Sequence, residues 1–489
     1  MDKKPLSRQV LLFTLINYLG TVIGVISVLF IYPKNKAFLG TVRYIDNIAQ
    51  LLYPVMVLGA SQALIKYYPQ LTEKYKQQLF GYSMLSVIVI SFIILGCIPL
   101  FLFFTDYGNS ALLYFAFPVA VSLAFVELFK KQAQDLQKIA IPTFFEKLIP
   151  KIVLPILFIL LLNYVLDVYT SLYFYVAGYL LIFILTALYL FRNFQPKFNF
   201  RFTALFTQIQ RKDYMRYSLY AFAGSLGSLL AFRIDGIIIP ELISLEANGS
   251  FSIGVTLAST LQIPAVGMFA IYAPIVSKSV KENNMTTLNR NYKQVAKVLF
   301  FTGAVLYSCI VLGIHDLFSL LPTSESLQAS IPVIIILGLS VLFNMATSFN
   351  SEIITYSKYY RFNLIAVGLL TILNITLNLW FIYYTNLGIA GVAYASLVSM
   401  TLFNCSKLLF IYKKFGLFPF DKNFLLLAII FVVSGVVIYF LPDADSGLMN
   451  LIYKTGLSLV VNVTAVYKLK LVFQVNEWVD KALKIIRLK

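Results

Sequence analysis

The sequence predicts an all-α polytopic membrane protein of about 14 transmembrane helices, built as two six-helix lobes plus two extra C-terminal helices. Three observations lead there. First, 60% of the 489 residues are hydrophobic and 12% are charged, with mean hydropathy +0.82. Soluble domains carry about 25% charged and about 45–50% apolar residues. Second, apolar stretches of about 20 residues, the length that crosses hydrocarbon as a helix, recur along the whole chain. They are continuous, not alternating, which argues against a β-barrel. Third, basic residues gather in alternate connections, as the positive-inside rule requires of a multi-pass protein.

The candidate spans are 9–32, 44–66, 79–104, 110–129, 142–163, 170–191, 214–239, 250–276, 294–315, 328–350, 362–384, 388–412, 423–441 and 447–467. Lys3, Lys4 and Arg8 precede the first. Most other cations follow even-numbered spans: Lys66, Lys74 and Lys76; Lys130, Lys131, Lys138, Lys147 and Lys151; Arg211, Lys212 and Arg216; Lys278 and Lys281; Lys407, Lys413 and Lys414. The opposite connections carry Asp106, Asp167, Glu241, Glu246, Asp316, Glu325, Asp443 and Asp445. Both termini are therefore expected in the cytoplasm. The first outer loop dissents, with Lys34, Lys36 and Arg43 near one helix end. Two segments are amphipathic but too polar to span. One is marked by Phe202, Leu205, Phe206 and Ile209. The other alternates Val475, Trp478, Val479 and Leu483 with Lys481, Lys484 and Arg487. Both are expected to lie on the inner leaflet.

Several function classes fall away. The net charge of +18 would suggest nucleic acid in a soluble chain, but here the cations are topological, so no nucleic-acid partner is expected. Cys97, Cys309 and Cys405 lie far apart in or near apolar segments and read as small core residues, not disulfides or metal ligands. His315 is the only histidine, which excludes a His-based metal site or triad. The apolar run to Tyr32 is too long for a signal-peptide core. No P-loop motif occurs. Nothing calls for a cofactor, and no catalytic constellation is present, so the chain is read as a non-enzyme.

The segment 214–278 organises the rest. Two long apolar stretches meet at an acidic, Gly-containing loop and carry Ser, Gly, Arg, Asp and Gln inside them. It echoes the first two spans. Pro33 before Gly40 parallels Pro240 before Gly249, and Pro54 in mid-helix parallels Pro264. Ser7, Thr14 and Asn17 parallel Ser218, Ser225 and Ser228. The offset is about 210 residues, and an even number of crossings keeps the two copies parallel. The expected division is 1–196 (N-lobe), 197–213 (amphipathic linker), 214–415 (C-lobe), 416–472 (spans thirteen and fourteen) and 473–489 (amphipathic tail). Chance recurrence of Pro and Gly is the alternative, since both are frequent in membrane helices.

Polar residues form stripes at helical spacing. Thr14, Asn17, Thr21 and Gly24 share a face, as do Arg43, Asp46, Gln50 and Tyr53. Ser218, Ser225, Ser228 and Asp235 line the seventh span, and Ser252, Thr256, Ser259 and Gln262 the eighth. Asn344, Ser348, Ser351 and Glu352 cluster at the inner end of the tenth. These stripes suit a hydrated cavity. Interhelical hydrogen bonding is the other reading, and for Ser and Thr alone it is the better one. Arg233 shares its face with Phe222, Leu226 and Leu229 rather than with Asp235, and snorkelling to head groups competes with a cavity role. Asp46 can pair with Arg43 at i+3. Lys66 closes the inner end of the second span. Pro54 and Pro264 would loosen their helices and suit gating.

The run Pro33–Gly40 followed by Leu51, Leu52, Pro54, Val57, Gly59, Ala60 and Tyr68-Pro69 resembles the start of bacterial polysaccharide flippases. These are the Wzx-like O-antigen exporters of the multidrug/oligosaccharidyl-lipid/polysaccharide superfamily. Arg233, Asp235, Gly236, Gly249, Pro264 and Pro274 extend the resemblance. It implies a bacterial inner-membrane transporter that moves undecaprenyl-pyrophosphate-linked oligosaccharide to the outer leaflet by alternating access. It further implies H+ or Na+ as coupling ion, contact with membrane lipid, and other polysaccharide-assembly membrane proteins as partners. A phosphate substrate needs cations, for which Arg43, Lys66 and Arg233 are the candidates. Asn17, Gln50, Ser225, Ser228 and Gln262 would line the path. Asp46, Asp235 and Glu352 are the coupling candidates, and Pro54 and Pro264 the gating prolines. Related lipid II flippases carry cations in the first helix and before the eighth-helix proline. Here Asn17 and the stretch Ser259–Gln262 stand there, which counts against that role. A cation-coupled drug or metabolite antiporter is the main alternative, and a membrane polysaccharide polymerase a weaker one.

Overall fold

The computed structural model describes residues 19–104, 108–195 and 202–487. The helices are α1 (Leu19–Phe30), α2 (Lys36–Val57), α3 (Ala60–Tyr67), α4 (Glu73–Phe104), α5 (Ser110–Asp135), α6 (Ala140–Leu162), α7 (Val168–Asn193), α8 (Thr203–Gln208), α9 (Arg211–Arg233), α10 (Asp235–Leu242) and α11 (Leu245–Thr260). They continue as α12 (Ile263–Lys281), α13 (Met285–Ser319), α14 (Ser324–Gln328), α15 (Ile331–Ala346), α16 (Asn350–Tyr356), α17 (Arg361–Tyr384), α18 (Ile389–Phe415), α19 (Lys422–Tyr439), α20 (Gly447–Lys468) and α21 (Phe473–Arg487). No strand occurs among the described residues, so the all-α, polytopic expectation holds.

Among the described residues, eight helices are long and apolar enough to cross a membrane, and up to 12 if four bent pairs each count as one span. The bends are 52° at α1/α2, 49° at α9/α10, 49° at α11/α12 and 50° at α15/α16. The expected figure of about 14 counts α1 and α2 separately and adds α6. Every 18-residue stretch of α6 holds Glu146, Lys147 and Lys151, too many charges for a purely apolar span. The surface carries the membrane signature. Only 17% of the apolar stretch of α4 is buried, and Phe92, Ile93, Phe103 and Phe104 point outward. In water such a face would be an aggregation site; in lipid it is simply solvated.

Packing divides the chain into two compact units, Met1–Ser252 and Ile253–Lys489. Packing units and repeat lobes are different quantities, so the lobe boundaries stay an expectation. In the first unit, Leu64, Tyr67, Tyr68, Leu79, Phe80, Leu128 and Phe129 build one core. Leu205 and Ile209 of the linker segment belong to it, with Phe202 packed alongside. The expectation that this segment lies on the leaflet is corrected accordingly: its apolar stripe is spent inside the protein, against Tyr82 and Tyr214. In the second unit, Tyr292, Leu299, Met345, Phe349, Ile353 and Ile411 form one core. Val298, Phe431, Val466, Leu471 and Val475 form another, which docks the start of α21 on α13, α19 and α20. Trp478 and Leu483 of α21 stay exposed. Cys97 is exposed rather than a core residue.

Helix ends follow local chemistry. Asn35 caps α2 through Phe38 N at 3.0 Å, and Asp167 caps α7 through Tyr169 N and Thr170 N. A cap of this kind contributes about 1 kcal/mol. Asp421 caps α19 through Phe424 N and pairs with Lys297 at 3.0 Å.

Candidate functional site

The polar face of α2 is the centre of the first unit. Helical spacing puts Arg43, Asp46, Asn47, Gln50 and Tyr53 on neighbouring rows. Asp46 is only 7% exposed. Its Oδ1 accepts from Tyr175 Oη at 2.6 Å and from Tyr179 Oη at 2.9 Å. Its Oδ2 lies 3.8 Å from Arg43 Nη1. A buried carboxylate is tolerated only when paired and hydrogen-bonded, and these two tyrosines, one turn apart on α7, do that. Sequence reasoning missed them. The signal was there, two tyrosines at i and i+4 in an apolar span, but such pairs are common in membrane helices.

Asn47 carries the next link. Its Oδ1 accepts from Arg233 Nη1 at 3.3 Å, and its amide fills the space a side chain on Gly236 would need. Arg233 therefore turns toward α2 instead of snorkelling. A 49° bend follows Arg233. It separates Asp235, the first residue of α10, from the Ser218–Ser228 stripe of α9.

By charge Lys151 groups with the basic connection after the fourth span, although it falls inside the expected span 142–163. It is the twelfth of the 23 residues of α6, hence mid-span. Its Nζ lies 3.1 Å from the point where a Cβ on Gly20 would sit, so the missing side chain there makes room for the ammonium. The charges acting on it are two cations, Lys147 and Arg43. Among the described residues it has no acid partner and no hydrogen bond. Lys130, by contrast, is fully paired with Glu127 at 3.2 Å and Glu146 at 2.8 Å.

The start of α2 crosses α11 at two glycines. A Cβ on Gly40 would overlap the Leu245 carbonyl and stand 3.0 Å from Gly249 N. A Cβ on Gly249 would overlap the Lys36 carbonyl. The pairs Gly40/Gly249 and Lys36/Leu245 share one offset, 209 residues. Such reciprocity is the mark of a local two-fold relation, and it supports the internal repeat. Asn248 Nδ2 donates to Gly40 O at 2.9 Å. Lys36 pairs with Glu246 at 3.0 Å. Glu241 accepts from Tyr44 Oη and from Asn109 Nδ2 at 3.2 Å. Two of the three dissenting cations of the first loop are thereby accounted for: Lys36 meets an acid of the second hairpin, and Arg43 sits inside α2, while Lys34 is exposed. Farther along, Gly59 (φ 74°) lets the Ser218 carbonyl approach, and Gln62 Nε2 donates to Ser225 Oγ at 3.3 Å.

The remaining expected residues scatter. Lys66 is exposed, with its ammonium 3.8 Å from the Tyr217 ring centroid. Gln50 and Ser228 are half-buried. Pro54 precedes a break at Leu58 and Gly59, both left-handed. Pro264 is not mid-helix; it opens α12, where its missing N–H costs nothing, directly after the break at Leu261–Gln262. Asn17 lies outside the described residues. In the second unit the Asn344–Glu352 cluster forms as expected around the break between α15 and α16, with Ser348 at φ 53°. Asn404 spans it, accepting from Asn350 at 3.1 Å and donating to Asn344 at 3.2 Å.

The architecture has known counterparts. A lipid II flippase, MurJ, in an inward closed conformation, superposes with TM-score 0.72 at 15% identity, covering 94% of this chain and 99% of that one. A multidrug resistance MATE family transporter of the MOP superfamily, inward-facing, gives TM-score 0.61 at 15% identity over 81% and 94%. A MOP superfamily transporter from Pyrococcus furiosus gives 0.55 at 16% over 84% and 94%. These likenesses establish the fold. No curated protein sequence matches the chain. The family model described as polysaccharide biosynthesis protein matches residues 9–280, more than half of the sequence, and the chain belongs to that family.

Proposed function

We propose that the protein flips lipid-linked, undecaprenyl-pyrophosphate oligosaccharide repeat units from the cytoplasmic to the outer leaflet of a bacterial inner membrane, by alternating access. One observation carries the reading. Lys151 stands in the middle of α6 with two cations, Lys147 and Arg43, as the charges acting on it, and it has no acid partner among the described residues. Two like charges in low dielectric repel unless an anion joins them. A pyrophosphate supplies that anion, with charge-assisted hydrogen bonds to Arg43 and Lys151. Arg233, which hydrogen-bonds the neutral Asn47, is a third candidate cation in the same unit. Family membership supports the substrate class.

In this reading Asp46 holds Arg43 in place through Tyr175 and Tyr179, while Asp235 is the acid that couples transport to H+ or Na+. Gln50, Ser225, Ser228 and Gln262 hydrate the sugar path. Both termini are cytoplasmic, and the product serves O-antigen or related surface glycan made with other membrane proteins of polysaccharide assembly. The test is a deletion strain complemented with wild type or variants. Loss of surface glycan with lipid-linked repeat units accumulating inside supports the reading. Unchanged glycan with no accumulation overturns it, and drug sensitivity instead would favour the antiporter alternative.

A further inference from the structure

Lys407, which groups by charge with the basic residues after the twelfth span although it falls inside the expected span 388–412, is sealed inside the second unit. Lys407 lies in α18, eight residues from its C-terminal end, or roughly 12 Å at 1.5 Å per residue. It is 4% exposed. Its Nζ donates to Ser351 Oγ at 2.7 Å and stands 3.8 Å from the Phe403 ring centroid. Among the described residues it makes no ion pair; the charged group acting on it is Glu352, beside Ser351 on α16. Tyr292 of α13 packs in the same core as Phe349 and Ile353, which flank this stretch of chain. One turn earlier on α18, Asn404 ties together Asn344, Thr347 and Asn350 across the interrupted span. At the interruption itself, Ser348 Oγ is buried with no hydrogen-bond partner.

Hydroxyl oxygens, one carboxylate, an aromatic face and the backbone of an interrupted span are the groups with which membrane proteins hold monovalent cations. An ammonium on a flexible stem presents the same charge and similar size. We propose that the break between α15 and α16 is a monovalent-cation site that the chain fills with its own Lys407 ammonium. The wild-type protein then needs no external cation at this point, and removing the lysine opens the site to one. The inference does not depend on the transported substrate.

The test uses the purified full chain in detergent, melted in choline, sodium, potassium or methylammonium chloride at constant ionic strength. Wild type is expected to melt at one temperature in all four. Lys407→Ala is expected to melt lower in choline and to recover, with a saturable dose dependence, in methylammonium or sodium. Lys407→Ala combined with Glu352→Gln is expected to lose that recovery. Lys407→Gln, which keeps more of the volume, is measured alongside in case the alanine variant folds poorly. The proposal is overturned if both single variants melt equally in every cation. It is also overturned if neither variant folds in any cation, or if wild type gains as much from methylammonium or sodium as the variants do.

Discussion

Gly40 and Gly249 each make room for the opposite helix: a methyl on Gly40 would strike the Leu245 carbonyl, and a methyl on Gly249 the Lys36 carbonyl. The contact is backbone to backbone, so neither helix can yield by turning a side chain.

Gly40→Ala and Gly249→Ala should each destabilise this crossing by about 1–3 kcal/mol through overpacking, less the roughly 1 kcal/mol that Ala gains in a helix. Both changes separate the same two helices, so the double variant should cost clearly less than the sum. Melting temperatures of the four proteins in detergent test this; strict additivity would mean the glycines do not share a contact.

Removing both hydroxyls from Asp46, as Tyr175→Phe with Tyr179→Phe, should cost about 1–3 kcal/mol for each lost bond to the buried carboxylate. Adding Asp46→Asn should recover part of that loss, because the group left behind is neutral. If the triple variant is less stable than the double, Asp46 is not held by these tyrosines.

For export, Lys151→Gln and Arg43→Gln should each lower the rate by about tenfold or more. A charge-assisted bond contributes about 1.5–3 kcal/mol, and 1.4 kcal/mol is tenfold. Lys147, one turn away and exposed, is the control; Lys147→Gln should export as wild type does. Equal defects in all three would point to general charge rather than to a site.

A pH effect is expected in the loop between α19 and α20. The hydrogen bond from Lys454, then its charge, hold the Asp443 carboxyl below its usual value. A depressed carboxyl contributes stability above its unfolded pKa and loses it as pH falls through the folded value. Melting temperature should therefore drop on acidification below about pH 4, and Asp443→Asn should flatten that drop while lowering stability at neutral pH. Parallel curves for the two proteins would remove Asp443 from acid sensitivity.

The fold was legible because hydropathy alone forces it: each run of about 20 apolar residues must cross, and its backbone must be helical. The Arg43–Asp46 pair was legible too, since i+3 spacing on one helix sets it. Lys151 and Lys407 were not. Each lies near basic loop residues, and sequence cannot say whether a cation at such a place turns outward to head groups or inward to Gly20 or Ser351. Arg233 is a related case: its apolar neighbours on α9 do not reveal that its guanidinium reaches Asn47 of α2. Pro264 reads as a mid-helix kink only while α11 and α12 are taken as one helix.

The bend at Ile234 sets Arg233 in the last turn of α9 and Asp235 in the first turn of α10. Each charge stands at the helix end whose dipole favours it, basic at the C-terminal end and acidic at the N-terminal end. Fusing the two segments into one straight rod would abolish both ends and strand both charges mid-rod. The pair thus acts as an electrostatic wedge. Exchanging the two residues would keep net charge and composition unchanged, yet turn a span biased toward bending into one biased toward straightness.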